Sequence, residues 1–313
     1  MSRRVLFLFM DGLGLGEDNP ATNPLAAARM PHLGQLLGGQ AMVASTTPYH
    51  GQLASLIALD SQMGVEGTPQ SATGQAALLT GKNVSGLIGR HYGPKPNPEI
   101  AAILQQGNIF MEVVARGGRA TLLNAYPPQY FDNIQSGRRL FSSIPLAADA
   151  AGVALKTSSD LAAGEALSAD FTGVGWAAQP GFPKAPVYDE ELAGRQLAEI
   201  AGQYELAWFD YWASDYAGHK QAMERAIEMM ESFDGVLGGL IQSWRLDRDF
   251  VLLTSDHGNM EDMSVRGHTI NPVPGLLIGP AAVRQQAAEQ LHNLTDVAPF
   301  LLDFLFAPDD QAA

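Results

Sequence analysis

Three of the chain's seven histidines fall within 54 residues, in the segments Asp215-Tyr-Ala-Gly-His219, Ser255-Asp256-His257-Gly258-Asn259 and His268-Thr-Ile-Asn-Pro272. Two of the three have a carboxylate adjacent or four positions away. Imidazole and carboxylate together suit Zn²⁺, Mn²⁺ or Fe, and a chain without cysteine offers no thiolate. The i, i+4 spacing of Asp215 and His219 puts both on one helix face, and Gly218 lets the backbone pass close to a ligand. Taken alone, that pair reads more plainly as a surface salt bridge or a cap. Asp256 and His257 are adjacent, so they reach one ion only where the chain turns sharply, which Gly258 permits. His268 precedes a Pro-rich turn and reads as structural by itself; its weight comes from lying nine residues after Asn259.

The other half of such a site belongs near the N-terminus. Asp11-Gly12-Leu-Gly14-Leu-Gly16 follows the apolar run Val5–Met10. A dinucleotide-binding loop would need its third glycine one residue later and an acid about 20 residues on. Neither is present, so Asp11 reads better as a metal ligand with glycines giving room. Farther on, Thr68-Pro-Gln-Ser71-Ala-Thr73-Gly74 places a serine just before a helix opening, where backbone N–H groups and the helix dipole stabilise anions. Ser71 there is either a phosphate nucleophile or an ordinary N-cap. The arrangement suggests a two-metal phosphoryl-transfer site assembled from both ends of the chain.

The elements that must position these groups are three short apolar runs. Val5–Phe9 precedes Asp11, Leu206–Phe209 precedes Asp210 and Asp215, and Phe250–Leu253 precedes Asp256. Continuous runs of this length read as strands of a parallel sheet buried on both faces, and ligands bind beyond the carboxyl ends of such strands. Helical spacing covers Gln221–Gln242, the stretch after Ser71, Val283–Leu294 and Asp296–Phe306. From Gly93 onward proline and glycine become frequent. The expected fold is therefore α/β, a three-layer α/β/α core with a mostly parallel sheet. Residues 1–90 and 190–313 form that core, and residues 91–189 form an inserted, smaller lid region. Glu99–Leu123 has a second reading as a helix pair and strand of the core, which would shrink the insert.

The formal net charge of −14 argues against nucleic acid or an anionic membrane surface as partner. Residues 91–190 are nearer neutral, with seven Lys/Arg against nine Asp/Glu. The N-terminal apolar run is too short for a signal peptide, and no run approaches membrane-spanning length. A soluble, cytoplasmic protein is the expectation.

Taken together, the motifs resemble those of the alkaline phosphatase superfamily, in the branch of cofactor-independent phosphoglycerate mutase and phosphopentomutase. Val5–Gly14 resembles the opening strand-Asp-Gly-x-Gly, and Asn23–Pro31 resembles the stretch that follows. Ser71-Ala-Thr-Gly-Gln75 resembles the nucleophile motif Ser/Thr-x-x-Gly-His, with Gln in place of His. Asp215–His219 matches Asp-x-x-Gly-His in type. Ser255–Glu261 resembles Ala-Asp-His-Gly-Asn-x-Glu, and His268–Pro274 matches His-Thr-x-Asn-Pro-Val-Pro at every fixed position. The resemblance covers about the first 90 and last 110 residues. It implies one divalent ion held by Asp215, His219 and His268, and a second held by Asp11, Ser71, Asp256 and His257. Mn²⁺ or Zn²⁺ is expected, with Mg²⁺ a further candidate, and Ser71 would be transiently phosphorylated.

The middle third does not resemble the long cap of the mutases, and their substrate-binding arginines have no match. The insert offers Arg116, Arg119, Arg138 and Arg139, with Arg90 and His91 at its leading edge. These are the candidates for holding a small phosphorylated substrate. Three functions compete: a phosphomutase, a phosphohydrolase and a metal-binding protein on a spent scaffold. Because no ligand position is lost, the third is the weakest.

Overall fold

β1 (Val5–Met10) shows why the apolar runs are continuous. Every residue in it is buried, and alternate side chains enter different cores. Val5, Phe7 and Phe9 join one hydrophobic cluster, whereas Leu6, Leu8 and Met10 join another on the opposite face. A strand covered on both sides has no reason to alternate with polar residues. The computed structural model describes residues 2–179, 181–182 and 185–307.

The remaining strands are β2 (Tyr49–His50), β3 (Ala54–Leu59), β4 (Ala120–Leu122), β5 (Ala125–Tyr126), β6 (Lys156–Thr157), β7 (Leu206–Tyr211), β8 (Phe250–Thr254) and β9 (Val273–Ile278). Seven of the nine make one sheet in the order β2-β3-β9-β8-β1-β7-β4. β4, β7, β1 and β8 are parallel, and β9 runs against both β8 and β3. The three strands expected from the sequence are thus neighbours in the sheet, with β1 between the other two.

One face is covered by α1 (Ser71–Thr80), α2 (Pro98–Gln106), α3 (Ile109–Ala115), α4 (Ser143–Ala150) and, later in the chain, the Val297–Phe306 helix. The other face is covered by α5 (Glu190–Ala201) and α7 (Met223–Ser243), with α6 (Ala213–His219) between them in sequence. This is the three-layer α/β/α arrangement, with a mixed, mostly parallel sheet.

The insert is smaller than residues 91–189. Residues 98–122 lie in the core instead. β4 pairs with β7 in the main sheet, and Ile100, Leu104, Phe110 and Val113 of α2 and α3 are fully buried against it. The physical cause is the amphipathic spacing of those two helices, which outweighs the Pro-rich segment before them. What stands apart is the two-stranded β5–β6 pair with a small cluster of Ala125, Leu161, Ala166 and Trp176.

Trp208 on β7 is fully buried and stacks on Phe7 at 3.7 Å between ring centroids. Trp208→Ala is expected to cost about 3–5 kcal/mol of unfolding free energy through lost burial and the cavity left behind. A urea titration in which the midpoint barely moves would contradict this.

Candidate metal centre

The carboxyl ends of the central strands bring the acids together. Asp11 follows β1 directly, Asp210 is the fifth residue of β7 and pairs in register with Phe9, and Asp256 comes two residues after β8. α6 begins just beyond β7 and carries Asp215 and His219. The sharp turn needed after Asp256 is real: Thr269 N donates to Gly258 O at 2.9 Å, bringing the His268 segment back over the site.

Ser71 opens α1, but Gln70 is the capping residue, so the hydroxyl is not used as a cap. Its Oγ lies 3.0 Å from His257 Nε2. His257 Nδ1 faces Gly258 O at 3.3 Å, and His268 Nδ1 faces Pro69 O at 2.9 Å. A carbonyl only accepts, so each Nδ1 carries the proton and each Nε2 presents a lone pair to the cluster. The Ser71 hydroxyl therefore donates to His257. His257 Nε2 lies 3.5 Å from Asp11 Oδ1 and 3.6 Å from Asp256 Oδ2. The His257 and His268 rings stack at 3.7 Å.

On the other side, His268 Nε2 lies 3.2 Å from His219 Nε2 and 3.6 Å from Asp215 Oδ1. His219 Nε2 lies 3.3 Å from Asp215 Oδ2. Asp215, His219 and His268 present ligand atoms within 4.8 Å of one another, and so do Asp11, Asp215 and His257. The structure thus brings all seven expected ligand residues to one place, with Asp215 reaching toward both groups. Asp256 and His257 are wholly buried at the floor, whereas the His219 side chain, 45% exposed, stands at the mouth.

The electrostatics test whether cations fit. Burial, then the charges of Asp256, Asp215 and Asp210, hold the Asp11 carboxyl well above the usual range. Burial and then Asp215 do the same to Asp256. Asp210 is pushed up to about 7 by burial and by Asp256. His257 is pushed down to about 3 by burial first and by His268 next. Among the described residues, four acids crowd one site with no Lys or Arg among their ion pairs, and Asp11 Oδ1 is buried without a hydrogen-bond partner. Divalent cations would relieve this repulsion and favour the ionised carboxylates, so the donor set fits them.

Sequence reasoning missed the groups that hold these ligands. Gln75, noted only as a departure from the family motif, donates to Asp11 Oδ2 and Asp256 Oδ2, both at 3.2 Å. Asn259 donates to Asp215 Oδ1 at 2.6 Å. Buried Glu261 accepts from the amides of Gly14 and Asn259 and from the side chains of Thr269 and Asn271. Motif position alone could have flagged Asn259 and Glu261. Two glycines are required by close approach: a Cβ on Gly12, whose φ is +64°, would lie 2.5 Å from Asp215 Oδ1, and one on Gly74 would lie 2.7 Å from Asp256 O.

Gln75→Leu is expected to weaken Mn²⁺ binding by a factor on the order of 10, because partners that orient ligating carboxylates typically matter by that much. Calorimetric titration of metal into the variant checks this; an unchanged affinity would leave Gln75 with a packing role only.

The candidate substrate residues divide. Arg116 pairs with Glu112 at 3.2 Å and covers the Phe306 ring, and Arg119 pairs with Glu205 at 3.5 Å. Both precede the amino end of β4, opposite the site, so they cannot contact a substrate there. Arg90 lies over Tyr92, and His91 Nε2 bonds Val65 O at 3.1 Å. Tyr92, next in the chain, is hydrogen-bonded to Thr73 in the first turn of α1. Arg139 covers the Tyr130 ring at 4.8 Å, with Arg138 exposed beside it in sequence.

Residues 184–309 match the Metalloenzyme superfamily. The fold is similar to that of the alkaline phosphatase from the Antarctic bacterium TAB5, at 12% identity and a TM-score of 0.54, covering 97% of this chain and 98% of that one. The Metalloenzyme superfamily match takes in less than half of the chain, and the fold as a whole is alkaline phosphatase-like. A protein from Pyrococcus horikoshii has the same fold, at 15% identity and a TM-score of 0.57, with 97% of each chain covered. In sequence the chain resembles 2,3-bisphosphoglycerate-independent phosphoglycerate mutases. It is 33% identical to that of Desulforudis audaxviator over 138 residues, and 31% identical to that of Thermomicrobium roseum over 146. Those matches take in 40% and 41% of this chain but only 27% and 28% of the relatives.

Proposed function

We propose that the protein is a two-metal phosphoryl-transfer enzyme of phosphomutase type, acting on a small anionic phosphomonoester through phosphoserine at Ser71. The observation that carries this reading is the Ser71 hydroxyl at 3.0 Å from His257 Nε2, at the head of α1 and beside the Asp11, Asp215 and His257 group. Asp215, His219 and His268 would hold one ion; Asp11, Ser71, Asp256 and His257 would hold the other. Such ions neutralise phosphate charge and lower the pKa of the serine hydroxyl.

The chain's own part is positional. The Ser71 oxygen and His257 Nε2 stand 3.0 Å apart, as two ligands of one ion would, and the first turn of α1 favours negative charge at that point. The serine oxygen gives up its proton to solvent and attacks phosphorus; the ester oxygen leaves with the electron pair of the P–O bond and takes up a proton in turn. The phosphoryl group then passes to another hydroxyl of the same substrate. If water takes it instead, the enzyme is a phosphatase. The small size of the β5–β6 insert favours that second reading, because a mutase must keep its dephosphorylated intermediate from water. The mutase-like relatives favour the first. In this reading the insert closes over the ions, and Arg90, His91, Arg138 and Arg139 are the remaining candidates for substrate contact.

Incubating the Mn²⁺-loaded protein with a panel of phosphomonoesters separates the outcomes. Isomerised product without free phosphate is the expected result, and free phosphate alone would establish the hydrolase. No turnover of any ester with Mn²⁺, Zn²⁺ or Mg²⁺ would overturn the proposal. No helix among the described residues is long and apolar enough to cross a membrane.

A further inference from the structure

We infer that Lys95 and Arg139 form a subsite for a second anionic group on the substrate, beside the nucleophile. This rests on the phosphoryl-transfer reading above and narrows its substrate to a two-headed anion.

The segment carrying Lys95 is clasped to the first turn of α1. Thr73 N donates to Tyr92 O at 3.0 Å, and Tyr92 N donates to Thr73 Oγ1 at 3.2 Å. Gly93 packs so closely that a Cβ on it would lie 3.2 Å from the Ser71 amide nitrogen. Two residues on, Lys95 Nζ donates to Leu140 O at 2.9 Å, which ties it to the loop carrying Arg139. Arg139 lies over Tyr130, and Tyr130 contacts Tyr126 at 4.4 Å between rings.

The two cations are near enough that Arg139, after burial, lowers the pKa of Lys95. Neither forms an ion pair among the described residues. That is unexpected in a chain with 33 Asp and Glu against 19 Lys and Arg. Tyr130 is an independent pointer. Only 6% exposed, it keeps its hydroxyl buried without a hydrogen-bond partner among the described residues. Its ring packs on Tyr126, two residues beyond Asn124, whose side chain is hydrogen-bonded to the backbone of Asp210 at 2.8 Å. Two like charges and a spare hydroxyl donor, tied to a segment clasped to the turn that carries Ser71, suit an anionic oxygen group. Arg offers it a planar fork, and Lys offers a point charge.

Calorimetric titration of the Mn²⁺-loaded protein with ethylphosphonate, phosphonopropionate and propylene diphosphonate tests this. The wild type is expected to prefer one of the two-headed probes over ethylphosphonate by a factor on the order of 10–100. That preference should fall to within about threefold in Lys95→Ala and in Arg139→Ala, both with wild-type circular dichroism. Preference for phosphonopropionate would identify a carboxylate-bearing substrate, and preference for the diphosphonate a bisphosphate. Equal affinity for all three probes, or a preference that survives in both variants, would overturn the subsite and leave the Ser71 reading standing. If none of the probes binds the metal-loaded wild type, the phosphoryl-transfer reading falls, and the subsite with it.

Discussion

Ser71→Ala is expected to lower phosphoryl transfer by a factor on the order of 10⁴ or more, with the fold intact. The change removes one oxygen from a side chain that caps nothing and whose hydrogen bond goes to His257. Nearby hydroxyls are poorly placed to take over. Thr73 is buried, its Oγ1 donating to Gln70 O at 3.1 Å and accepting from Tyr92 N. Thr73→Ala should therefore loosen the first turn of α1 and cost stability rather than chemistry. Rapid-quench labelling with a radioactive phosphomonoester gives the direct measurement, since only a protein with its nucleophile should retain the label. Full activity in Ser71→Ala together with loss in Thr73→Ala would reassign the nucleophile.

His268→Ala should lower the affinity of one of two bound ions by a factor on the order of 100 or more, and abolish turnover at low metal. His268 is the ring that both ligand groups share as a neighbour. It stacks on His257, faces His219 at 3.2 Å and is oriented by Pro69 O. The sheet beneath does not depend on it, because β1, β7 and β8 are buried on both faces by apolar residues. Thermal unfolding in chelator should thus be nearly the same for variant and parent, while metal analysis of the gel-filtered proteins should differ by one ion. The same stoichiometry in both would count decisively against His268 as a ligand.

The central strands were legible because burial on both faces leaves an unbroken apolar signature, and each run ends next to an acid. β9 was not. It contains Pro274, which normally argues against a strand interior. The proline is tolerated because β8 pairs with β9 only from Leu276 onward, so no ladder bond on that side is lost at Pro274. β4 was read only as an alternative: three residues carry too little pattern to distinguish a strand from a loop. In the site, the ligand residues declare themselves by type and spacing. Asp210 does not, since a lone acid at a strand end is common, and only the folded sheet shows it facing Asp11 and Asp256. Gln75 was visible as a departure from the motif, but its bridging of two carboxylates is a fact of three dimensions. Arg116 and Arg119 misled because sequence proximity says nothing about which end of a strand a residue occupies.

The position of β1 also governs how the protein comes to be folded. Its two neighbours, β7 and β8, begin at Leu206 and Phe250, so this strand, made long before either, is among the last to be enclosed. Until β7 has been made, its six consecutive apolar residues have no sheet partner on either edge, and one edge stays open until β8 follows. Closing such long loops is slow, and exposed strand edges invite association with other chains in the interval. Asp11 cannot meet Asp256 before this closure, so the metal centre cannot assemble ahead of the sheet. A ribosome-bound fragment ending before β8 would carry four of the seven ligand residues and no complete site, and its β1 would be a natural target for chaperones.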